Sequence, residues 1–322
     1  MHVLVTGGAG YIGSHTAKAL AAAGHVPVVM DSLERGHRWA VRWGPLVEAN
    51  LADREALRRV FADYRIEAVI HFAAYIAVGE SVHQVGRYLR NNFVSTLNVL
   101  EAMEEAGVSR IVFSSTAAIY GDPKQVPIPE DHPTAPVSPY GESKLMVERA
   151  LSWYAACHGF SAACLRYFNA AGADPDGETG EVHEPETHLI PLALDAAMGR
   201  RPPLEIYGTD YATPDGTAIR DYVHVSDLAA AHLLALDYLR GHAGFVAFNL
   251  GTGTGVTVRE VLSTIEQVVG RPVPARECGR RAGDSPVLVA DPRKAFAELG
   301  WQPRLSSLRT IVETAARWHT TR

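Results

Sequence analysis

Tyr140 and Lys144 form the side-chain pair with the clearest potential for proton transfer in this chain of 322 residues. The segment SPYGESK (138–144) places them four residues apart at the start of a predicted helix, so both lie on one helical face. A phenol with a pKa of ~10 is a poor base at neutral pH, but a neighbouring ammonium group favours the phenolate. The same spacing also fits an amphipathic helix with an exposed lysine. The pair therefore indicates catalysis only if further reactive side chains lie nearby as partners.

Three hydroxyl-bearing residues supply such partners. Ser114 and Ser115 end the apolar run RIVFSS (110–115), and Thr116 follows directly. A strand in an open parallel sheet presents its carboxyl end to the ligand. We therefore expect Ser115 or Thr116 to position a substrate hydroxyl beside Tyr140.

A glycine-rich loop indicates the cofactor. Gly7, Gly10 and Gly13 follow the strand pattern HVLVT (2–6) and lead into a helical pattern. Glycine permits a sharp turn and lets backbone N–H groups approach a pyrophosphate at a helix N-terminus. The order strand, glycines, helix, strand is that of a dinucleotide-binding unit, with the pyrophosphate expected at residues 10–12.

Asp31 ends the second strand pattern, VPVVMD (26–31). A carboxylate at this position accepts hydrogen bonds from the adenosine ribose and repels a 2′-phosphate, which favours NAD over NADP. Arg35 and Arg38 follow on the next loop. From the sequence they fit either solvated side chains or ligands of a phosphate. With NAD in place, Tyr140 and Lys144 would remove a proton from an alcohol that loses hydride.

Short apolar runs alternate with amphipathic segments through the first half of the chain. This alternation predicts an α/β fold with a doubly wound parallel sheet of the Rossmann type. The pattern breaks in 170–188, which is rich in glycine, proline and acidic residues. We therefore predict an NAD-binding domain at 1–168, with returning segments from about 221–250, and a smaller mixed α/β substrate lobe at 169–322. Helices are predicted at 16–23, 53–64, 94–106, 144–157, 226–240, 257–269 and 306–318.

Composition excludes several partner classes. The 30 basic and 36 acidic residues give a formal charge of −6, which provides no basic footprint for nucleic acid or an anionic membrane. The three cysteines are too few and too scattered for a disulfide framework or a zinc site. No signal-like segment or long apolar run is present, so we expect a cytoplasmic protein whose partners are small molecules or copies of itself.

With these residues in place the chain resembles the extended short-chain dehydrogenases and, more narrowly, the UDP-glucose 4-epimerase family. The narrower resemblance rests on VTGGAGYIGSH, HFAAYIAVGESV, NNFVSTLNVLEAM, FSSTAAIYGD, SPYGESKLMVE, LRYFNAAGA, HLIP, DGTAIRDYVHVSDLA and RRAGD, in that order. It implies an NAD-dependent isomerase of galactose metabolism that inverts C4 of a UDP-hexose through a 4-keto sugar. It also implies a homodimer formed through the helices at 94–106 and 144–157.

The resemblance further assigns residues to ligands. The cofactor set comprises Gly7, Gly10, Tyr11, Ile12, Gly13, Asp31, Ser32, Leu33, Asn50, Leu51, Phe72, Ala73, Ala74, Asn92, Ser114, Tyr140, Lys144 and Tyr167. The substrate set comprises Thr116, Tyr140, Phe168, Asn169, His188, Leu189, Leu204, Tyr207, Arg220, Arg281, Asp284 and Leu288. Paired guanidinium groups suit the diphosphate of a UDP-sugar.

Two positions depart from the family pattern. Asn50 stands where the family usually has an aspartate facing adenine, and it keeps an acceptor oxygen without the charge. Ile76 stands where many relatives have a lysine that neutralises the cofactor phosphates. Tight retention of the cofactor is therefore not implied by this sequence.

Three other activities compete with epimerisation. A 4,6-dehydratase needs an added acid and base directly after the Ser/Thr, where this chain has Ala117 and Ala118. A non-catalytic dinucleotide sensor would have no need of Tyr140 and Lys144. A net oxidoreductase would release reduced cofactor, and turnover of UDP-galactose without added NAD separates it from an epimerase.

Leu288 bears on which hexose is used. The resemblance places it against the 2-substituent of the sugar, where its intermediate volume predicts UDP-galactose and UDP-glucose as the main pair and weak activity on N-acetylated sugars. A UDP-GlcNAc/UDP-GalNAc 4-epimerase is the alternative. The alternating run around Leu288 also fits a plain core strand.

No metal site is predicted. None of the 14 histidines pairs with another at four-residue spacing around a carboxylate, and His183 and His188 flank a proline-bearing loop.

Overall fold

The computed structural model describes residues 1–281 and 283–321, which contain fourteen strands and eleven α-helices. The strands are β1 (His2–Thr6), β2 (Val26–Asp31), β3 (Leu46–Glu48), β4 (Ala68–His71), β5 (Arg110–Thr116), β6 (Ser161–Tyr167), β7 (Asn169–Ala171), β8 (Leu204–Tyr207), β9 (Ile219–Arg220), β10 (Tyr222–His224), β11 (Gly244–Leu250), β12 (Val256–Thr257), β13 (Ala275–Cys278) and β14 (Val287–Leu288).

The α-helices are α1 (Tyr11–Ala22), α2 (Arg54–Tyr64), α3 (Val78–His83), α4 (Val85–Tyr88), α5 (Ser95–Glu105), α6 (Pro139–His158), α7 (Leu189–Ala197), α8 (Val225–Tyr238), α9 (Val258–Val269), α10 (Arg293–Leu299) and α11 (Leu308–Thr320). A π-helix spans Leu89–Val94, and 3₁₀ turns span Arg38–Ala40 and Ala117–Ile119. None of the helices in the described part of the chain has the length and apolar character needed to cross a membrane.

A seven-stranded parallel sheet organises the fold. Its strand order is β11-β6-β5-β4-β1-β2-β3, and every neighbouring pair runs parallel. The order reverses direction between β1 and β4, which is the switch point where ligands of doubly wound sheets bind. The predicted α/β fold of the Rossmann type is confirmed.

Both faces of the sheet are covered by helices. On one face, buried side chains of α2, α5 and α6 pack on the strands, among them Leu57, Val99 and Val147. On the other face, α1, α8 and α10 contribute Leu20, Leu228 and Ala295. Strands buried on both faces read as continuous apolar runs, which is why their positions could be predicted.

The chain beyond β6 forms three smaller sheets. These pair β7 with β10, β8 with β13, and β9 with both β12 and β14. Helices α7, α9 and α11 enclose a separate apolar cluster that includes Ile190, Ile265 and Ile311. Strand β11 returns from this half of the chain and pairs with β6 at the edge of the large sheet.

Helix starts differ from the sequence prediction at two sites. Helix α1 begins at Tyr11 instead of residue 16, because the chain enters the helix directly from Gly10. Helix α6 begins at Pro139 instead of residue 144. Ser138 caps it by accepting a hydrogen bond from Gly141 N at 3.1 Å, and proline at the first helical position fits the required φ.

Candidate active site

The glycine loop between β1 and α1 forms a cradle that larger residues would fill. Gly7 has φ +71°, and a Cβ there would lie 2.6 Å from the backbone nitrogen of Ala73. A Cβ on Gly13 would lie 2.3 Å from the carbonyl oxygen of Gly7. Gly10 is the N-cap of α1 and provides no side-chain acceptor. The N–H groups of the first helical turn have no intrahelical acceptor either, so they suit a pyrophosphate.

Asp31 lies beside this cradle at the end of β2. Its carboxylate accepts hydrogen bonds from Ala9 N at 3.0 Å and Leu33 N at 2.9 Å. Burial raises the pKa of Asp31, and these two hydrogen bonds act in the opposite direction. The carboxylate is thus held at the edge of the sheet where the adenosine ribose of a dinucleotide would lie.

The two arginines after β2 are occupied by protein groups. Arg35 donates from Nη1 to the carbonyl oxygen of Glu184 at 2.8 Å, and Arg38 pairs with Glu48. Because both guanidinium groups already have protein partners, neither needs a 2′-phosphate. This favours solvated or structural roles for both arginines.

The remaining cofactor candidates near the adenine end differ in exposure. Ser32 and Asn50 are exposed, and Asn50 Oδ1 accepts a hydrogen bond from Ala52 N at 2.8 Å in the turn before α2. Leu51 is 7% exposed and belongs to the core under α2. Its side chain therefore packs inside the protein, which leaves only its backbone for a ligand.

Asn92 forms hydrogen bonds with the segment that follows β4. Its amide accepts from Tyr75 N at 2.8 Å and donates to Tyr75 O at 2.9 Å and Ser143 Oγ at 3.0 Å. The residue lies in the π-helix, a rare conformation that is frequent at functional sites. Asn92 thus positions the backbone after Phe72, Ala73 and Ala74 relative to α6.

Lys144 is buried one helical turn after Tyr140. Its Nζ donates to the carbonyl oxygen of Ser114 at 2.8 Å and lies 4.8 Å from the ring centroid of Phe113. Burial lowers the pKa of Lys144 to about 7. The amino group of Lys144 can therefore gain or lose a proton near neutral pH.

Tyr140 and Thr116 meet at the carboxyl edge of β5. Burial raises the pKa of Tyr140, and a hydrogen bond with the Thr116 hydroxyl lowers it. Thr116 Oγ1 also accepts from Ala118 N at 3.1 Å, which fixes its rotamer at the start of the 3₁₀ turn. Phenol and hydroxyl are thus held together where a substrate alcohol would be deprotonated.

Ser115 lies on the opposite face of β5. Its Oγ donates to Glu148 Oε1 at 2.5 Å, and Glu148 is ion-paired with Arg166 at 2.6 Å in the interior. Side chains alternate along a strand, so Ser114 and Thr116 share one face and Ser115 the other. Of the two hydroxyls proposed for catalysis, the structure brings only Thr116 to Tyr140.

Tyr167 is placed at the same edge by Ser114. The two hydroxyls are hydrogen-bonded to each other, and Tyr167 is 8% exposed. Burial raises the pKa of Tyr167 further above its usual value than Ser114 lowers it, so the phenol stays neutral.

Several substrate candidates meet near the end of β5. Phe168 and Leu288 pack on an apolar cluster that contains Ala117, directly after Thr116. In the small sheet, Leu288 is in register with Arg220, and Arg220 Nη2 lies 3.8 Å from Asp284 Oδ1. Leu288 is thus partly buried beside the reacting residues.

Two further substrate candidates form a stacked pair. The guanidinium of Arg281 lies 4.3 Å from the ring centroid of Tyr207, which leaves a planar cation and an aromatic ring side by side. On the same strand, Leu204 is 3% exposed within the apolar cluster under α7. Its side chain faces the core because it alternates with Tyr207, so the structure does not bring it to this surface.

His188 occupies the N-cap position of α7, immediately before Leu189, without a capping hydrogen bond from its side chain. Its Nδ1 lies 2.6 Å from Glu181 and 3.3 Å from Glu186. Burial acts to lower the pKa of His188, but these carboxylates raise it to about 10. The fold thus brings His188 to two carboxylates, Glu181 and Glu186, that the sequence did not indicate as its partners.

Asn169 lies at the start of β7 and donates its backbone N–H to Asp221 O at 3.1 Å.

Comparisons with known proteins agree with this geometry. Residues 3–251 match the model of the NAD dependent epimerase/dehydratase family. A UDP-glucose 4-epimerase of Rhizobium leguminosarum bv. trifolii is 51% identical over 98% of this chain and 97% of its own length. The UDP-glucose 4-epimerase of Brucella ovis, solved in complex with NAD, superposes with a TM-score of 0.96 at 51% identity, over 98% of this chain and 97% of that one.

A more distant structure adds the nucleotide. The UDP-glucose 4-epimerase of Bifidobacterium longum, solved with NAD⁺ and UDP, has a TM-score of 0.95 at 38% identity, over 100% of this chain and 98% of that one. The chain belongs to the NAD dependent epimerase/dehydratase family and, within it, to the UDP-glucose 4-epimerases.

Proposed function

We propose that this enzyme inverts C4 of UDP-hexoses with NAD, and that UDP-galactose and UDP-glucose are its main pair. The observation that carries the proposal is the contact of Tyr140 with Thr116, one turn from buried Lys144, at the carboxyl end of β5. An alcohol bound there meets a base and a hydroxyl that can orient it.

The residues of this chain fit NAD at the switch point of the large sheet. Gly7 and Gly13 leave space that a Cβ would fill, and Asp31 presents a carboxylate to the ribose. Bound NAD supplies the acceptor and donor of the C4 hydride. Asn92 holds the backbone of Tyr75, and Phe72 to Ala74 join this residue to the end of β4 at the sheet edge.

Tyr140 acts as the base in the proposed reaction. As phenolate it accepts the proton of the 4′-hydroxyl, Lys144 favours the phenolate by its positive charge, and Thr116 orients the hydroxyl. The resulting 4-keto sugar is held through its UDP portion and turns its other face to the cofactor. Tyr140 then returns the proton to the inverted hydroxyl, so the reaction leaves no net oxidation.

The second half of the chain provides the sugar-nucleotide lobe in this proposal. Arg220 and Arg281 contribute positive charge for the diphosphate, and the ring of Tyr207 offers a stacking surface. Residues 1–168, with the returning strand β11, hold the cofactor, and most of 169–322 covers the substrate.

The active form is proposed to be a homodimer joined through α5 and α6. Trp153 on α6 is 70% exposed, and Val94 at the start of α5 is 47% exposed. Large apolar side chains on one surface favour burial against a partner. We place the enzyme in the cytoplasm, where the free thiols of Cys157, Cys164 and Cys278 remain reduced.

Incubation of the purified enzyme with UDP-galactose tests the proposal. We expect UDP-glucose to form until equilibrium without accumulation of reduced nicotinamide. Release of reduced cofactor would indicate a dehydrogenase, a 4-keto-6-deoxy product would indicate a dehydratase, and no turnover with NAD present would indicate a sensor. Each of these outcomes contradicts the proposal.

A further inference from the structure

The loop between β7 and α7 gathers four potential metal ligands that the epimerase reaction does not use as a group. Glu181, His183, Glu186 and His188 each offer one ligand atom, and all four atoms lie within 4.8 Å of one another. We propose that these residues form a structural site for a divalent transition metal, with Zn²⁺ as the preferred ion.

The distances between ligand atoms fit a tetrahedral ion. His183 Nδ1 lies 3.2 Å from Glu181 Oε1 and 3.4 Å from Glu186 Oε2. His188 Nδ1 lies 2.6 Å from Glu181 Oε1 and 3.3 Å from Glu186 Oε1. Tetrahedral Zn²⁺ with bonds of about 2.0–2.1 Å separates its ligands by about 3.3 Å. Three of the four distances match this spacing, and the two histidines face different oxygens of Glu186.

Three of the ligand atoms have no hydrogen-bond partner among the residues that the structure describes. Within the described ranges, Glu181 Oε1, His183 Nδ1 and His188 Nδ1 are buried and make no hydrogen bond. The side chain of Glu181 is only 5% exposed. A buried carboxylate oxygen without a partner is costly, and a cation between the four groups would remove that cost.

A second acidic cluster in the same loop shows the contrast. Asp174, Asp176 and Glu178 also lie within reach of a single ion, but Lys18 Nζ occupies their centre at 2.7 to 2.8 Å. In the part of the chain that the structure describes, no lysine or arginine forms an ion pair with Glu181 or Glu186. The histidine-containing cluster therefore lacks the lysine that fills the centre of the acidic one.

Contacts from outside the loop and within it hold the ligating conformation. Trp318 Nε1 donates to Glu181 O at 3.1 Å, and His37 Nε2 lies 3.2 Å from Val182 O. The backbone N–H groups of Thr187 and His188 donate to Glu186 Oε1 at 2.7 and 2.8 Å. Groups that orient the ligands in this way are typical of built metal sites.

The donor set selects the class of metal. Two imidazoles with two carboxylates suit Zn²⁺ and neighbouring transition ions, whereas Mg²⁺ and Ca²⁺ prefer oxygen ligands alone. The ring of Tyr11, from the glycine loop, stands edge-on to His183 at 6.2 Å. The ion thus fastens segment 181–188 to the cofactor loop on one side and to the start of α7 on the other.

Metal titration of the untagged full chain tests the site. After treatment with a chelator, the wild type is expected to bind one equivalent of Zn²⁺ by calorimetry, with a rise in melting temperature. His183→Gln and Glu186→Gln should each weaken binding at least about tenfold. His158→Gln, at a surface histidine paired with Glu104, and Asp176→Asn, in the lysine-filled cluster, should bind as the wild type does.

Three results would overturn the proposal: no Zn²⁺ bound by the wild type, equal binding by both ligand variants, or binding of Mg²⁺ and Ca²⁺ alone. Co²⁺ gives an independent readout, because a tetrahedral site produces visible absorption that His183→Gln should abolish. Both measurements are made without substrate or NAD. A failure of the metal site is therefore distinguishable from a failure of the epimerase function.

Discussion

Tyr140 carries the proton in the proposed reaction, so its hydroxyl is the first residue to test. Tyr140→Phe removes the base and keeps the ring, and turnover of UDP-galactose should fall at least ~10²-fold, the scale of a positioned proton transfer. Tyr238→Phe is the matched control, since Tyr238 ends α8 and its exposed hydroxyl donates to Glu298 of α10. A Tyr140→Phe enzyme that kept most of its rate would remove Tyr140 from this role.

Lys144 predicts a particular dependence of stability on pH. Burial lowers its pKa from 10.5 to about 7, so between these values the unfolded chain binds a proton that the folded chain does not. The free energy of unfolding contributed by this group therefore rises with pH from about 7 to 10.5. Urea unfolding of the cofactor-free protein should show this rise, and Lys144→Met should remove it. Equal slopes for both proteins would contradict a lowered pKa of Lys144 in the folded chain.

Leu288 is the residue that we propose to limit the size of the sugar's 2-substituent. Leu288 and Phe168 both pack on the apolar cluster that contains Ala117, so shortening Leu288 should open space near the end of β5. Leu288→Cys should raise kcat/KM for UDP-GlcNAc roughly 10–200-fold and change UDP-glucose little. Val287→Cys, its neighbour on the other face of β14, is the control. If neither ratio moved with Leu288→Cys, specificity would have to lie elsewhere, for example at Tyr207 or His188.

At the scale of elements, the start of α6 positions both members of the catalytic pair. Ser138→Ala removes the cap and should cost about 1 kcal/mol of stability, and it should also lower kcat because Tyr140 lies two residues further on. Ser307→Ala removes the equivalent cap of α11, where Ser307 accepts from Thr310 N at 3.1 Å. It should cost similar stability and leave kcat unchanged. An equal loss of kcat in both variants would show that general stability is responsible.

The elements also explain what the sequence could and could not predict. The apolar runs of β1, β2 and β5 and the Tyr140/Lys144 spacing are local signals, and they were sufficient for the fold and for the pair. Strand alternation alone would have separated Ser115 from Thr116. The hydrogen bonds of Asn92 with Tyr75 could not be predicted from the sequence, because the π-helix that carries Asn92 depends on packing against α6.

The cluster at 181–188 was missed for a different reason. Its four side chains converge because distant groups, Trp318 and His37, hold the loop backbone. No helical or strand periodicity records such contacts. Three glutamates and two histidines within eight residues are a visible signal, but only the fold shows which four of them are neighbours.

At the scale of the whole molecule, the proposed dimer depends on the exposed face of α5 and α6. Trp153→Glu places a charge where an apolar surface should be buried, and it should convert the dimer to a monomer in light scattering. Phe296→Glu, on α10 and 38% exposed, should leave the mass unchanged. A monomeric wild type at micromolar concentration, or a Trp153→Glu protein that stayed dimeric, would contradict this interface.

The most direct test of the whole account follows the hydrogen at C4 of the sugar. UDP-galactose with deuterium at C4 is incubated with the enzyme and NAD, and the UDP-glucose formed is analysed by mass spectrometry and NMR. We predict that the deuterium stays at C4 while the configuration inverts, because the hydride leaves and returns within one closed site. Loss of the label from C4 to solvent, or its appearance at another carbon of the sugar, would contradict the proposed mechanism.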